Sequence, residues 1–281
     1  MNKLFALVLA ASSSAASAQT PTINPMPDGS RDMYAGLGIV SAPRYEGADS
    51  ERVRALPVLQ VQWSNGVFVS GMSAGMHLSQ QPTVEYGPLL GLHPRRSESG
   101  NGGAIGEALG ATLAPGPLYF RLKFANPLTG MDEVKLRPEL GGFFNAYLAP
   151  QWRLTSSVLA GAGNERNGVR SQLGIQRLGL APAPHHAVSL TAGFTFVNGA
   201  YNRSYFGVTQ DESMRTGHPA YRPGGGLKDV HVGARWNWAL SPSWLLTSSV
   251  QASRLMGDAR RSPLVERPHN VTVSTAFAYR F

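Results

Sequence analysis

The residues able to do acid–base or metal chemistry are few and scattered along this 281-residue chain. There are seven histidines and no cysteine, so zinc sites built on thiolates are out of reach. His185 and His186 are adjacent. On a strand they point to opposite faces and cannot share a metal, so a solvated turn is their expected place. Neither His-Glu-x-x-His nor Gly-x-Ser-x-Gly occurs. Gly224-Gly225-Gly226-Leu227-Lys228-Asp229 has the glycines of a phosphate loop but lacks the Gly-Lys-Ser/Thr ending. Its glycines suit a chain turning from a loop into a strand. One set remains: His218 and His269, with Ser213, Ser262 and Asp258 nearby in sequence. It would make a Ser-His or Asp-His hydrolase only if loops brought it together at a barrel rim. No characteristic spacing supports that, and no enzyme activity, metal or cofactor is expected.

The elements available to position any site are strands. Asn270 to Phe281 alternates strictly: Val271, Val273, Thr275, Phe277, Tyr279 and Phe281 against Asn270, Thr272, Ser274, Ala276, Ala278 and Arg280. Side chains of a strand alternate between its faces, so one face is apolar and ends in aromatic rings. An outer-membrane barrel strand has that pattern, with apolar residues towards lipid and rings at the interface. Tyr279 and Phe281 are the expected C-terminal assembly signal, read by the barrel-assembly machinery. The same alternation runs through 118–124, 136–148, 151–160, 188–196, 229–240 and 244–253. Weaker segments lie at 34–42, 53–63, 67–78, 84–92, 105–113 and 169–180, interrupted by Gly and Pro. Helical periodicity is absent. These candidates number thirteen, and a single-chain bacterial barrel needs an even count, so an all-β transmembrane barrel of about twelve strands is expected, within a range of roughly ten to fourteen.

Residues 1–18 read as a Sec-type signal peptide: Lys3, an apolar run from Leu4 to Ala11, and Ala16-Ser17-Ala18 as cleavage site. The mature protein is expected to start at Gln19. Residues 19–32 form a flexible lead-in and 33–281 the barrel. Tight turns at 64–66, 149–151 and 240–243 contrast with long connections at 198–225 and 257–269. That asymmetry puts the short turns in the periplasm and the long loops outside. Aromatics near segment ends, Trp63, Trp152, Trp236, Trp238 and Trp244 among them, suit interface girdles. The outer membrane of a Gram-negative cell is the expected location.

The net charge is +8. For an exported protein this points to lipopolysaccharide phosphates and anionic cell-wall polymers rather than nucleic acid. By parity Arg121, Lys123, Arg137, Glu139, Arg153, Arg170, Asp229, His231, Arg235 and Arg280 face inward. Such charges either bridge and plug a narrow lumen or favour anions in a pore.

Several blocks are more specific. Ala42-Pro43-Arg44-Tyr45-Glu46-Gly47 opens the barrel region. Later come Ser204-Tyr205-Phe206-Gly207-Val208-Thr209, Gly217-His218-Pro219-Ala220-Tyr221, Gly225-Gly226-Leu227-Lys228-Asp229-Val230 and Ser253-Arg254-Leu255-Met256-Gly257-Asp258-Ala259. The chain resembles the MltA-interacting protein/OmpV family of outer-membrane proteins, densely over 190–281 and again over 34–63. Residues 94–135 are longer than the family pattern suggests, and an added hairpin at 105–126 is expected there. The resemblance implies an outer-membrane barrel. It further implies a non-enzymatic scaffold joining a murein hydrolase to a murein synthase, or alternatively a porin-like channel, small-ligand binder or surface adhesin and antigen. Tyr45, Glu46, Tyr205, Phe206, Tyr221, Lys228, Asp229, Arg254 and Asp258 match the family pattern. Their expected role is to lock the long loops into the barrel mouth by hydrogen bonds.

Overall fold

The computed structural model describes residues 33–79, 81, 83–98, 100–102 and 127–281. Its strands in chain order are β1 (Tyr34–Pro43), β2 (Glu51–Gln62), β3 (Val67–Ser70), β4 (Ser73–Met76), β5 (Val84–His93), β6 (Arg95–Ser97) and β7 (Gly100–Gly102). They continue as β8 (Arg137–Ala149), β9 (Trp152–Ala162), β10 (Gly168–Leu180), β11 (His186–Val197), β12 (Gly226–Ala239), β13 (Trp244–Leu255) and β14 (His269–Arg280). Twelve of them close into a barrel in which each strand pairs with its sequence neighbour, β5 meeting β8 and β14 returning to β1. All pairs are antiparallel, and Tyr34 lies opposite Arg280 where the ring closes. β6 and β7 form a separate hairpin. The expectation of about twelve strands holds.

The period of two decides which side chain meets lipid. On β14, Asn270, Ser274, Ala276 and Ala278 are buried inward. Val271, Val273 and Phe277 are 45–46% exposed on the outer surface. Outward Leu140, Phe144, Val158, Leu190, Phe194 and Val232 extend this apolar band around the barrel. Trp63, Trp152, Trp238, Trp244, Tyr279 and Phe281 are exposed at one end, the end of the short turns. They form the expected girdle, with Trp244 stacked on Phe277 at 4.6 Å.

Three expectations change. Residues 67–78 are not one strand: Gly71 takes φ +57°, and Ser70 pairs with Ser73. A two-residue turn with glycine first reverses the chain there and makes the short β3–β4 hairpin. His186 does not sit in a solvated turn. It begins β11, stacked on Trp236 at 5.5 Å, and its Nδ1 accepts from the Trp236 indole N–H at 3.0 Å. The third concerns helices, which do occur, in the long outer connections: α1 (Gly199–Phe206), α2 (Gln210–Thr216) and α3 (Gly257–Arg260). They are too short to show a helical period, and side chains start them. Asn198 caps α1, and Thr209 with Glu212 forms a capping box on α2. The signal peptide, the lead-in and the hairpin expected at 105–126, with Arg121 and Lys123, lie outside the described residues.

Candidate functional site

The inward polar residues of the lower barrel pair with one another. Arg153, 1% exposed, reaches Gln176 Oε1 at 3.0 Å through Nε. Its Nη1 lies 3.9 Å from Glu85. Asn145 and Tyr147 also donate to Glu85. Beside them Phe68, Leu89, Phe143 and Leu159 pack as an apolar cluster. One step up, Arg170 donates two bonds to Glu139 Oε2, at 2.9 and 2.7 Å, with Glu139 fully buried. Mixed charges therefore bridge and fill this part of the lumen, the plugging alternative of the two that the sequence left open.

The outer end is capped. The loop after β1 carries Tyr45 and Ala48, which pack with Leu128, Met131, Val208 and Leu264 from three other connections. Tyr201, Tyr205 and Phe206 on α1 pack against Val134, Ala162, Val197, Leu255 and Ala259. Polar contacts seal the cap. The Tyr45 hydroxyl donates to Glu266 at 3.0 Å. The Ser262 hydroxyl donates to the Phe206 carbonyl at 2.7 Å. The Tyr221 hydroxyl donates to the Asp258 carbonyl at 2.9 Å. Asp258 also binds Arg261 and accepts from the Gly224 N–H. Burial pushes the Tyr45, Tyr201 and Tyr205 phenols above their ordinary range, so they act as neutral hydrogen-bonding groups.

Between cap and plug lies a cavity of about 540 Å³. A bulge builds its polar wall. Thr195 pairs with Asp229, but the next residue, Phe196, pairs with Leu227. Two residues therefore oppose one, and Lys228 turns inward beside Asp229 instead of outward to lipid. Lys228 Nζ lies 2.6 Å from Glu46 and 3.2 Å from Asp229. Asp229 accepts from Thr195 at 3.1 Å and lies 3.0 Å from His231 Nδ1. The same polar side continues through Tyr201, whose ring centroid lies 5.7 Å from Lys228 Nζ, to His93, which stands between two phenols, each ring nitrogen 2.9 Å from the oxygen of Tyr201 or Tyr205. The other wall is apolar: Val40, Leu56, Val58, Val69, Met72 and Leu92.

Eight of the nine family-matching residues thus fall in one region. Tyr45, Phe206, Tyr221 and Asp258 tie the cap, while Glu46, Tyr205, Lys228 and Asp229 reach the cavity. Arg254 does not join them; it is exposed on the outward face of β13. His93, Tyr201 and Arg96, which donates to the Tyr205 carbonyl at 2.6 Å, were not singled out by sequence. For His93 a signal existed, since alternation from Glu85 through Leu89 puts residue 93 inward. The proposed rim hydrolase set does not assemble: His218 Nε2 donates to the Pro127 carbonyl, and Ser262 and Asp258 serve the cap. Among the described residues no group of three or more His, Asp or Glu is placed to hold a metal.

A closed antiparallel ring, an apolar band facing outward, an aromatic girdle and a polar, capped interior define a transmembrane β-barrel of the outer membrane. Within that class, residues 35–281 match the family described as MltA-interacting protein MipA. The chain belongs to that family. It is 27% identical over 174 residues to outer membrane protein Omp26La of Vibrio anguillarum, covering 62% of this chain and 65% of that one. It is 28% identical over 177 residues to outer membrane protein OmpV of Vibrio cholerae, again 62% and 65%. The chain thus matches less than two thirds of the length of these Vibrio relatives. The MltA-interacting protein of Escherichia coli (strain K12) is 22% identical over 259 residues, 90% of this chain and 91% of that one. Among solved structures it is similar to the NanC porin, with TM-score 0.44 and 7% identity over 87% of this chain and 100% of that one.

Proposed function

We infer that this barrel binds a small amphiphilic ligand in the cavity beneath its cap, and that it is not a catalyst or an open pore. One observation carries the reading: the cavity has one polar wall, with the Lys228–Glu46–Asp229 cluster and the His93 phenol pair, and one aliphatic wall. Ligand pockets of this size are largely apolar, with a few converging polar groups. An ion-conducting path would need water beside the inward groups of the lower barrel, yet Glu139, Arg153 and Thr247 are at most 1% exposed. The protein in lipid nanodiscs should therefore melt at a higher temperature with decanoate present, and planar bilayers containing it should stay silent. A steady ohmic conductance with no change in melting would overturn the reading.

A second reading rests on the name of a relative, the MltA-interacting protein of Escherichia coli. By that likeness the periplasmic face would hold a murein hydrolase and link it to a synthase. The connections at that face, 63–66, 77–83, 150–151, 181–185 and 240–243, are short. The exposed girdle around Trp152, Trp238 and Trp244 is the larger surface there. Pulldown from solubilised envelope with and without the purified barrel tests it; no enrichment of a murein hydrolase or synthase counts against it. Assembly through Tyr279 and Phe281, exposed at the end of β14, and contact with lipopolysaccharide belong to the same proposal.

A further inference from the structure

Below the cavity the lumen keeps a second, smaller space of about 80 Å³. The inward positions pass from one to the other strand by strand. On β10, Gln172 lines the upper space and Gln176 the lower. On β12, Asp229 is followed by Arg235, and on β13, Ser253 by Ser249. His231 and Gln251 line both, so the two spaces meet at these side chains. Two glycines make room for the lower one. A Cβ on Gly174 would lie 2.9 Å from Thr155 Oγ1, and one on Gly233 2.8 Å from Thr191 Oγ1. The hydroxyls therefore lie over bare backbone rather than projecting across the lumen. Towards the periplasm Thr247 is fully buried, its hydroxyl donating to Asn237 at 2.6 Å, and Tyr34, Leu245, Ala276 and Ala278 pack together beyond it. The smaller space is a blind end of the cavity.

Charge separates the two spaces. In the upper one the Lys228 ammonium already lies between two carboxylates, Glu46 and Asp229, so an anion gains little from it. The lower one is lined by the guanidinium groups of Arg153 and Arg235, with Thr155, Gln176, Thr191 and Ser249 as neutral polar groups. No Asp or Glu is among its described lining residues. Arg153 is 1% exposed, so its N–H groups must find acceptors inside the protein. Nε and Nη2 both donate to Gln176 Oε1. Nη1 is buried and has no hydrogen-bond acceptor. Glu85 stands 3.9 Å from it, beyond hydrogen-bond reach, and accepts from Asn145 and Tyr147 instead. A buried guanidinium N–H left over beside a polar space calls for an oxyanion.

We propose that this blind pocket takes the oxyanion of the ligand: the amphiphile beneath the cap carries a carboxylate or phosphate head, which lodges between Arg153 and Arg235 while its chain lies on the aliphatic wall above. This rests on the binding reading above and narrows its ligand to anionic amphiphiles. The planar fork of a guanidinium matches the oxygens of either head group. The volume, enough for several waters, also holds one such group.

Thr191→Asp sets a carboxylate inside the pocket, and Thr191→Asn is its neutral isostere. Melting of each variant in lipid nanodiscs is followed against decanoate, decanol and inorganic phosphate. Thr191→Asp should need about tenfold more decanoate than the wild type for the same rise, the scale of one charge-assisted hydrogen bond. Thr191→Asn should respond to decanoate as the wild type does, and decanol should act equally on all three. Arg235→Gln, which removes a cation without adding an anion, should weaken decanoate as Thr191→Asp does, and keeps the test open if Thr191→Asp fails to fold. A folded Thr191→Asp or Arg235→Gln barrel with the wild-type response to decanoate, or one that loses the decanol response equally, overturns the pocket. If neither decyl compound stabilises the wild type, the binding reading falls and phosphate decides on the pocket. A phosphate-dependent rise over chloride at equal ionic strength, seen in the wild type and in neither Thr191→Asp nor Arg235→Gln, keeps it as a site for a free oxyanion. No such rise overturns it as well.

Discussion

Lys228 Nζ lies 2.6 Å from Glu46 Oε1, joining the barrel wall to the cap across 182 positions of sequence. Lys228 is buried and Glu46 is 42% exposed, so the bond holds a cap residue to a cation that has few other partners. Asp229, at 3.2 Å, is its second carboxylate, and the Tyr201 ring lies 5.7 Å away.

Glu46→Gln should therefore loosen the cap without unfolding the barrel. The exposed side of the pair limits the loss to about 1 kcal/mol. Limited proteolysis should cut faster within 44–50 and 198–225, while the β-rich circular dichroism stays unchanged. Lys228→Gln should loosen the cap further, because it strips both Glu46 and Asp229 of their cation.

Glu139→Gln attacks the plug instead. It leaves the Arg170 guanidinium short of its buried counter-charge, a loss of about 3–5 kcal/mol for pairs of this kind. The unfolding midpoint in urea should fall. Replacing both partners, Glu139→Leu with Arg170→Met, should cost much less, because no charge is then stranded. Equal losses in the single and double variants would contradict the pairing as the cause.

Acid should act on the cap through Asp258. Its bond from Arg261, and then the Gly224 N–H, hold this carboxylate below the ordinary aspartate range. A depressed value means that the stabilisation is present above the ordinary pKa of about 3.9 and is lost as pH falls through the lower folded value. The protection of the 224–226 amides, taken against the intrinsic exchange rate at each pH, should be high at neutral pH and fall as pH drops below the ordinary aspartate value of about 3.9 and through the lower folded one. Asp258→Asn should show the lowered protection at neutral pH already.

Much of the barrel was legible because its rule has period two. Along β8, β9 and β11 to β14, alternation alone separates lipid-facing from inward residues, and Glu139, Arg153, Asp229, His231 and Arg235 fall where parity puts them. Parity failed at Lys228, because a bulge shifts the phase by one and no residue type announces it. The β3–β4 hairpin was hidden inside a run of apolar and small residues, although Ser70-Gly71-Met72-Ser73 carries the glycine that such a turn requires. Thr209 and Glu212 spell a capping box for α2, but a helix of two turns shows no period. The cap depends on which distant segments pack together, as Tyr45 and Ala48 do with Leu128, Val208 and Leu264, and no local pattern carries that information.

The central claim is that the cavity beneath the cap holds an amphiphile. Titration of the protein in nanodiscs with 11-(dansylamino)undecanoic acid measures it directly. The wild-type protein should give a saturable rise in dansyl emission at one probe per barrel. Ser253→Trp, which fills the cavity, should abolish the rise, while the outward Val232→Trp should leave it intact. A wild-type signal that never saturates, or one that Ser253→Trp does not diminish, would contradict the account.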